Sequence, residues 1–401
     1  MKTYDFAVIG SGFVGLSTAR ELAVRGRRVV LIDGRGLGSG ASTGNTALLI
    51  HDGREDAAVA AMSLHGLERF RHLDEELGRP TGFRTQGNIL LYRDDSEKAM
   101  CETDGAFLRE SGMVWEELSL EAIAAREPHL NLEGYTGGGY REEWIIDPMQ
   151  TIYGLFADAR RRGMDWVESG CVTGFEHTGT RITGVCLSDG TVIRAEKYLV
   201  AAGAWTRDIF LTLNLALPNY YIGGACLVME RQAEMPVKNV INTLHGRRFA
   251  MERQAAAYLE EGEFETMPRL DAFEGVLSPD IHGNLIIGQR SHVIGAMPDR
   301  LPASYVRDMS RWAIALCPVL QNCRVVRSWI SPVPFTHDGK PFFGYVAPYE
   351  NLAVSAGYGS VLIMAPTLGE IGAALLEERP IGYDVTAYDP NRPGIREVSA
   401  L

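Results

Sequence analysis

The chain has 401 residues, a length that suits two domains better than one compact core. With 46% hydrophobic and 22% charged residues, it has the composition of an ordinary globular protein, which argues against extensive disorder. The net charge of −12 argues against a nucleic-acid partner, and no apolar run approaches the roughly 20 residues that a membrane span needs.

The first predicted elements lie in residues 4–36 and surround a glycine-rich turn. An apolar run typical of a buried parallel strand leads into Gly10, Gly12 and Gly15, and a helix and a second apolar strand follow. The first glycine permits the tight turn, the second lets a pyrophosphate approach the backbone, and the third lets the helix pack on the strand. Asp33, about 20 residues further on, can accept both ribose hydroxyls of an adenosine. The stretch therefore predicts a bound dinucleotide, either NAD or FAD.

A glycine- and hydroxyl-rich segment, residues 36–50, follows the second strand and ends in an apolar run. Plain nicotinamide-binding folds usually continue directly into further β–α units instead. The small polar side chains of this segment can follow a flat polar ring and its ribityl chain; they are Ser39, Ser42, Thr43, Asn45 and Thr46. An ordinary surface loop is the alternative interpretation.

The middle of the chain mixes strand and helix patterns. Residues 87–92 predict a strand, and residues 96–126 contain two helical patterns. Asp147 and Pro148, as cap and first helical residue, predict a helix that leads to a strand near residues 166–168.

The second half of the chain predicts a further sheet. Residues 218–325 are richer in alternating apolar and polar residues, as in 248–252 and 284–288. Residues 384–401 are predicted to form a loosely held tail.

Four segments in order along the chain resemble the D-amino-acid-oxidase-like FAD-dependent oxidoreductases, the family of glycine oxidase, sarcosine oxidase and related amine dehydrogenases. They are the N-terminal glycine pattern with its loop, and residues 181–206, 329–344 and 351–376. The resemblance implies an α/β fold, in which a Rossmann-type FAD-binding domain is interleaved with a mostly antiparallel β-sheet substrate domain. It also implies FAD as the cofactor. No cysteine follows Cys323, so we expect the FAD to be held non-covalently.

The resemblance implies that each domain is built from several segments. The FAD-binding domain is expected in residues 1–85, 146–217 and 326–383, the substrate domain in residues 86–145 and 218–325, and the tail in residues 384–401.

The same resemblance assigns residues to the FAD site. Gly357 and Gly359 precede the last helix, where backbone N–H groups could face the flavin N1–C2=O edge, which becomes negative on reduction. The expected contacts are Gly10, Gly12, Phe13, Val14, Gly15, Asp33, Gly34, Arg35, Ser39, Ala41, Ser42, Thr43, Asn45, Thr46, Ala47, Val172, Ala202, Gly203, Trp205, Gly357, Tyr358, Gly359, Ser360, Val361, Leu362 and Ile363.

The chemistry that the resemblance implies is the oxidation of a C–N bond, giving an imine that water hydrolyses, in a small amine or amino acid. Such a reaction depends mainly on a neutral amine held close to the flavin. Two alternatives remain open: oxidation of a C–OH group, and a flavin-bearing subunit that relays electrons within a larger dehydrogenase.

The usual carboxylate anchors of the family are replaced by apolar residues. Val333 stands where glycine-oxidase-like members carry an arginine, and Ile363 stands where sarcosine-oxidase-like members carry a lysine. Either the substrate lacks a carboxylate near the reacting carbon, or another cation binds it. The candidate cations are Arg84, Arg247, Arg248, Arg253 and Arg290, and the favoured alternative for each is a solvated surface arginine.

Three polar side chains are candidates for a position near the reacting ring. His51 follows the flavin loop directly, Tyr358 lies in the C-terminal flavin loop, and His337 lies in the segment before that loop. A structural role is the alternative for each of them.

Electron acceptor and location are also predicted. Lysines are absent between Lys238 and Lys340, which favours a dehydrogenase that passes electrons to another acceptor, including electron-accepting subunits of a hetero-oligomer, over an oxidase. Asp5 interrupts the N-terminus, so no signal peptide and a cytoplasmic location are expected.

Overall fold

A computed structural model of the chain describes residues 3–51, 56–217, 219–243, 246–260, 268–294, 300–336, 338–359, 361–393 and 396–397, without the side chains of 246–250, 259–260, 294 and 396–397. The strands are β1 (Thr3–Ile9), β2 (Val29–Asp33), β3 (Leu48–Leu49), β4 (Arg84–Tyr92), β5 (Trp115–Leu118), β6 (Gly137–Ile145), β7 (Asp165–Glu168), β8 (Val172–Thr178), β9 (Arg181–Leu187), β10 (Val192–Val200), β11 (Leu215–Ala216), β12 (Asn219–Met229), β13 (Val240–Thr243), β14 (Asp271–Pro279), β15 (Leu285–Ile294), β16 (Val325–Thr336), β17 (Phe342–Tyr345), β18 (Leu352–Ala356) and β19 (Arg396–Glu397).

The helices connect and cover these strands. They are α1 (Phe13–Val24), α2 (Ala57–Leu77), α3 (Asp95–Glu110), α4 (Leu120–Arg126), α5 (Pro148–Arg161), α6 (Thr206–Leu211), α7 (Gly246–Glu260), α8 (Ala303–Leu316) and α9 (Ala365–Leu376). No helix in the described ranges is long and apolar enough to cross a membrane.

The first sheet has the order β17-β18-β10-β1-β2-β7, and β8 and β9 extend from β10 as a hairpin. Strands β18, β10, β1, β2 and β7 pair in parallel. Val8 and Leu31 pack into a core with α1 and α9, whereas Ala7 and Val30 pack into a second core on the opposite face. This burial on two faces explains why the N-terminal strands are continuously apolar.

The second sheet has the order β16-β12-β15-β14-β13-β4-β6-β3, with β5 paired to β6. Its pairs are antiparallel except for β13 with β4, so the prediction of a mostly antiparallel second sheet is confirmed. Helix α8 covers one face through Tyr305, Met309 and Ala313. The opposite face of the second sheet is directed towards the first sheet. It carries Leu48 and Ile222, which line the cavity described below.

Membership of the two sheets alternates along the chain. Strands β1–β2, β7–β10 and β17–β18 belong to the first sheet, while β3–β6 and β12–β16 belong to the second. This alternation supports an interleaved arrangement, and the exact domain boundaries remain a prediction.

Two expectations from the sequence were wrong. Residues 248–252 lie in α7, so their short alternation of apolar and polar residues does not mark a strand. The tail is not loosely held as far as residue 393, because the Tyr388 hydroxyl donates to Asp56 Oδ2 at 2.7 Å and Arg392 Nε pairs with Asp338 Oδ2 at 2.7 Å. The helix at Asp147 and Pro148 was predicted correctly: Pro148 begins α5, and the Asp147 side chain accepts a hydrogen bond from the backbone N–H of Gln150.

Candidate active site

The glycine turn between β1 and α1 has little room for side chains. Gly10 has a φ of +109°, and a Cβ there would overlap the Ala201 carbonyl. A Cβ on Gly15 would overlap the Gly10 carbonyl, and one on Gly12 would lie 2.9 Å from Ser42 Oγ. Helix α1 therefore begins tightly against the sheet, with Gly12 as an N-cap that has no side chain of its own. Its first turn can present backbone N–H groups to an anion.

Asp33 lies at the carboxyl end of β2, beside this turn. Its Oδ2 accepts hydrogen bonds from the N–H and the hydroxyl of Ser11, both at 2.8 Å, and its Oδ1 accepts one from Arg35 N at 2.7 Å. A carboxylate offers about four acceptor sites, so these bonds fix the side chain and leave acceptor capacity for ribose hydroxyls. The Arg35 guanidinium carbon lies 4.6 Å from the centre of the Trp205 ring.

The loop after β2 is held by its own hydrogen bonds and docks on α1. Ser42 Oγ accepts from Phe13 N at 3.0 Å, and Thr43 Oγ1 donates to Gly38 O at 2.7 Å. Asn45 Nδ2 donates to Ala41 O and Ser42 O, both at 2.9 Å. The small polar residues thus shape the loop, which otherwise has no regular structure.

A cavity of about 440 Å³ begins at the glycine turn and ends under the second sheet. Most of the predicted FAD contacts line it: Gly10, Gly12, Phe13, Val14, Asp33, Gly34, Arg35, Ser39, Ala41, Ser42, Asn45, Thr46, Val172, Ala202, Gly203, Trp205, Gly357, Tyr358, Gly359, Val361, Leu362 and Ile363. Gly15, Thr43 and Ala47 are not among the lining residues, and their parts are to pack or hold the turn and loop. Ser360 lies outside the described residues.

The C-terminal loop forms one wall of the cavity. Gly357 has a φ of +82°, and Val361, Leu362 and Ile363 lead directly into α9. The Tyr358 hydroxyl lies 2.9 Å from Ser355 Oγ, and burial raises the pKa of Tyr358 above its ordinary value. Tyr358 lines the cavity, and its assignment near the reacting ring stays a prediction.

The part of the second sheet that covers the cavity is here called the roof. Its cavity-lining residues are Leu48, Ile222, Gln289, Pro332, Val333, Pro334 and Phe335. Val333 pairs with Ile222 across β16 and β12. Among these residues the side chains are apolar except that of Gln289, and charged lining residues of the described chain are Asp33, Arg35 and Asp208. The end of the cavity at Asp33 and Arg35, here called the nucleotide end, fits the adenosine of a flavin dinucleotide. The end under the roof, here called the ring end, fits its flat ring.

His51, predicted to lie over the ring, is not among the residues that line the cavity. Its ring stacks on Phe107 with the ring centres 4.9 Å apart, and its Nε2 lies 3.1 Å from Ser111 Oγ. His51 therefore packs against the end of α3. His337 lies outside the described residues, so its assignment stays a prediction.

The described arginine candidates do not line the cavity. Arg290 pairs with Asp308 at 2.7 Å and lies over the Tyr305 ring, on the face of the second sheet that α8 covers. Arg84 donates to Asp280 O at 3.2 Å, and Arg253 is exposed. The side chains of Arg247 and Arg248 lie outside the described residues.

Several lining residues were missed by the sequence analysis, among them Ser11, Ile222, Phe335 and Gln289. Ser11 could have been found, since it lies inside the glycine pattern. The others are set by the register of β12, β15 and β16, which the local sequence does not encode.

Comparisons with known proteins agree with this geometry. A family model described as FAD dependent oxidoreductase (DAO) matches residues 5–375. Glycine oxidase of Pseudomonas aeruginosa is 26% identical over 398 residues, which cover 96% of this chain and 97% of that protein. The crystal structure of glycine oxidase from Geobacillus kaustophilus has a TM-score of 0.84 at 23% identity, covering 98% of this chain and 99% of that one. L-proline dehydrogenase from P. horikoshii has a TM-score of 0.80 at 22% identity, with 98% of each chain covered.

Proposed function

The chain belongs to the DAO family of FAD-dependent oxidoreductases, and we propose that it oxidises the C–N bond of a small amine or amino acid. FAD is the cofactor. The similar proteins reported above are named for glycine and L-proline, which supports an amine nitrogen on the substrate. The alternative of C–OH oxidation is not favoured by these relatives.

The residues of the nucleotide end bind the cofactor. Asp33 accepts the ribose hydroxyls, and the first turn of α1 donates N–H groups to the pyrophosphate. Trp205 and Arg35 close this end by stacking on each other. None of these groups takes part in the chemistry, and their effect is to fix where the ring lies.

The residues of the ring end orient the substrate and exclude water. FAD bound here would supply the redox chemistry as the hydride acceptor, taking both electrons of the C–H bond next to nitrogen while the nitrogen lone pair forms the C=N bond. The roof residues hold the amine next to the flavin ring and exclude water from it. This environment favours the neutral amine, because burial disfavours the charged ammonium ion. Water then hydrolyses the imine to a carbonyl compound.

The observation that carries the proposal is the continuity of the cavity. The same space is lined by Asp33 at one end and by Val333 at the other, so a dinucleotide at the glycine turn reaches the roof. Electron-accepting partner subunits and a cytoplasmic location remain predictions from the sequence.

Anaerobic reduction of the purified holoprotein tests this function. Amines, amino acids and hydroxy acids of matched size are mixed with the protein, and the long-wavelength absorbance of oxidised flavin is followed. We expect bleaching by an amine or amino acid and a carbonyl product. Bleaching by hydroxy acids alone would contradict the proposal, and so would a colourless protein that takes up no FAD.

A further inference from the structure

Gln289 is a polar side chain among the otherwise apolar roof residues. It is half-buried, and the apolar residues that share this end of the cavity with it are Leu48, Ile50, Ile222, Val333 and Phe335. A glutamine at such a place is costly unless its amide is hydrogen-bonded. When a ligand fills this end of the cavity and displaces water, each end of the amide therefore needs a partner from the ligand or from the protein.

The backbone of β15 places this side chain. The pairing between β12 and β15 steps from Ala225 with Arg290 to Leu227 with Ile287, so the ladder is irregular at Gln289. The side chain lies over Gly224, where a Cβ would come within 2.6 Å of Gln289 Nε2. Gly224 thus provides the space that the amide occupies.

The two ends of the Gln289 amide differ in their partners. Nε2 donates to the hydroxyl of buried Ser291 at 2.9 Å, which fixes the orientation of the amide. Across the described residues, no donor reaches Oε1 within hydrogen-bonding distance. Oε1 is then a fixed acceptor at the edge of an apolar space.

We propose that Gln289 Oε1 accepts a hydrogen bond from the nitrogen of the substrate, and that this substrate is a primary or secondary amine with an apolar substituent on the reacting carbon. The inference rests on the proposed function and adds the substrate class to it. The N–H group of an amine is the donor that Oε1 needs. The aliphatic and aromatic roof residues accommodate the substituent.

A neutral acceptor suits this reaction better than a carboxylate. A nearby negative charge stabilises the ammonium form of an amine and raises its pKa, and the ammonium form has no lone pair to form the C=N bond. The amide of Gln289 orients the nitrogen without that effect. The apolar neighbours of Gln289 lower the pKa of the bound amine, because they disfavour its charged form.

Two substitutions of Gln289 separate orientation from charge. Gln289→Leu removes the acceptor and is expected to weaken amine binding ~3–10-fold, with a slower flavin reduction and an unchanged pH profile. Gln289→Glu adds a negative charge. It is expected to raise the pH at which flavin reduction reaches half of its maximal rate by about one unit. Gln321→Leu, the same change at an exposed residue, is the matched control and is expected to behave like the wild type.

Binding is measured independently of turnover with tert-butylamine, which has no hydrogen on the carbon that bears nitrogen. Its dissociation constant is read from the perturbed flavin spectrum, with trimethylacetate as the carboxylate of the same shape. We expect tert-butylamine to bind more tightly than trimethylacetate, and only the amine to lose affinity in Gln289→Leu. The FAD content and melting temperature of each variant show that it is folded and loaded.

Failure of this inference differs from failure of the proposed function. If amines bleach the wild type while both Gln289 variants match it in affinity and pH profile, the role of Gln289 is wrong and the function stands. Preferential binding of trimethylacetate would overturn the substrate class. If only hydroxy acids bleach the wild type, the function fails and the inference fails with it.

Discussion

Asp33 holds the glycine turn and faces the cavity at the same time. Its carboxylate oxygens accept hydrogen bonds from Ser11 and Arg35, which fix the carboxylate before any ligand arrives. A side chain that is already fixed loses little conformational entropy when it binds a ligand. Its hydrogen bonds to a ribose therefore contribute nearly all of their free energy to binding.

Asp33→Ala is therefore expected to weaken FAD binding by about 1–3 kcal/mol, through loss of charge-assisted hydrogen bonds. The dissociation constant is measured by titrating apoprotein with FAD and following flavin fluorescence. Glu133→Ala removes an exposed carboxylate far from the turn in sequence and should leave the affinity unchanged. Equal affinities for the wild type and Asp33→Ala would show that the carboxylate does not contact the ribose.

The sequence predicts the nucleotide end of the site better than the ring end. The residues around Gly10 and Asp33 belong to one local β–α–β unit, whose spacing fixes their geometry. His51 lies just beyond the short strand β3, and Gln289 lies where the pairing of β12 with β15 is irregular, so no regular pattern sets the direction of either side chain. A shift of one residue reverses the side chain of a strand residue, and local sequence does not determine such a shift.

At the scale of elements, a buried ion pair joins α1 to α5. Arg20 Nε lies 2.7 Å from Asp158 Oδ2, and their side chains are 5% and 0% exposed. Burial alone would raise the pKa of Asp158, but hydrogen bonds from Arg20 and Arg162 outweigh it and lower that pKa. Because the folded-state pKa is the lower one, the pair stabilises the fold above the unfolded-state pKa and loses its effect as the pH falls through the folded-state pKa.

Asp158→Asn is expected to lower the free energy of unfolding by about 3 kcal/mol at pH 7, because it leaves Arg20 buried without its closest charge partner. The difference from the wild type should shrink as the pH falls below about 4, the unfolded-state pKa, and should vanish only once the pH has fallen through the lower folded-state pKa of Asp158. Urea unfolding at several pH values measures it. Glu350→Gln, in an exposed pair with Arg181, is the control and should change stability by less than about 1 kcal/mol. A difference that does not vary with pH would contradict the assignment.

Elements with strong local signals were predicted well, and those fixed by tertiary contacts were not. The capped start of α5 follows from Asp147 and Pro148 alone. In contrast, five alternating residues inside α7 are too few to separate a strand from a helix. The anchoring of the tail depends on Asp56, which is 332 residues from Tyr388 in sequence and which no local pattern relates to it.

At the scale of the whole molecule, the two sheets meet at the cavity, and no described lysine lies on its wall. Lysine occurs at residues 2, 98, 197, 238 and 340 of the chain. Of these, the described lysines do not line the cavity, and buried Ile363 lies on its wall instead. The charged groups on the described wall are Asp33, Arg35 and Asp208, so its cation is Arg35, which lies over Trp205.

This distribution of charge predicts a preference for electron acceptors other than oxygen. Transfer of one electron to oxygen creates an anion beside the ring, and a cation positioned there would stabilise that charge. The apolar ring end offers no such stabilisation from the described residues, so reoxidation of the flavin by oxygen should be slow.

With an amine that bleaches the flavin, turnover with an artificial dye acceptor under nitrogen is expected to exceed turnover in air. The first rate is measured as dye reduction and the second as peroxide formation. Peroxide formation at a rate equal to dye reduction would contradict the prediction. Free FAD with the same amine and dye gives the background rate.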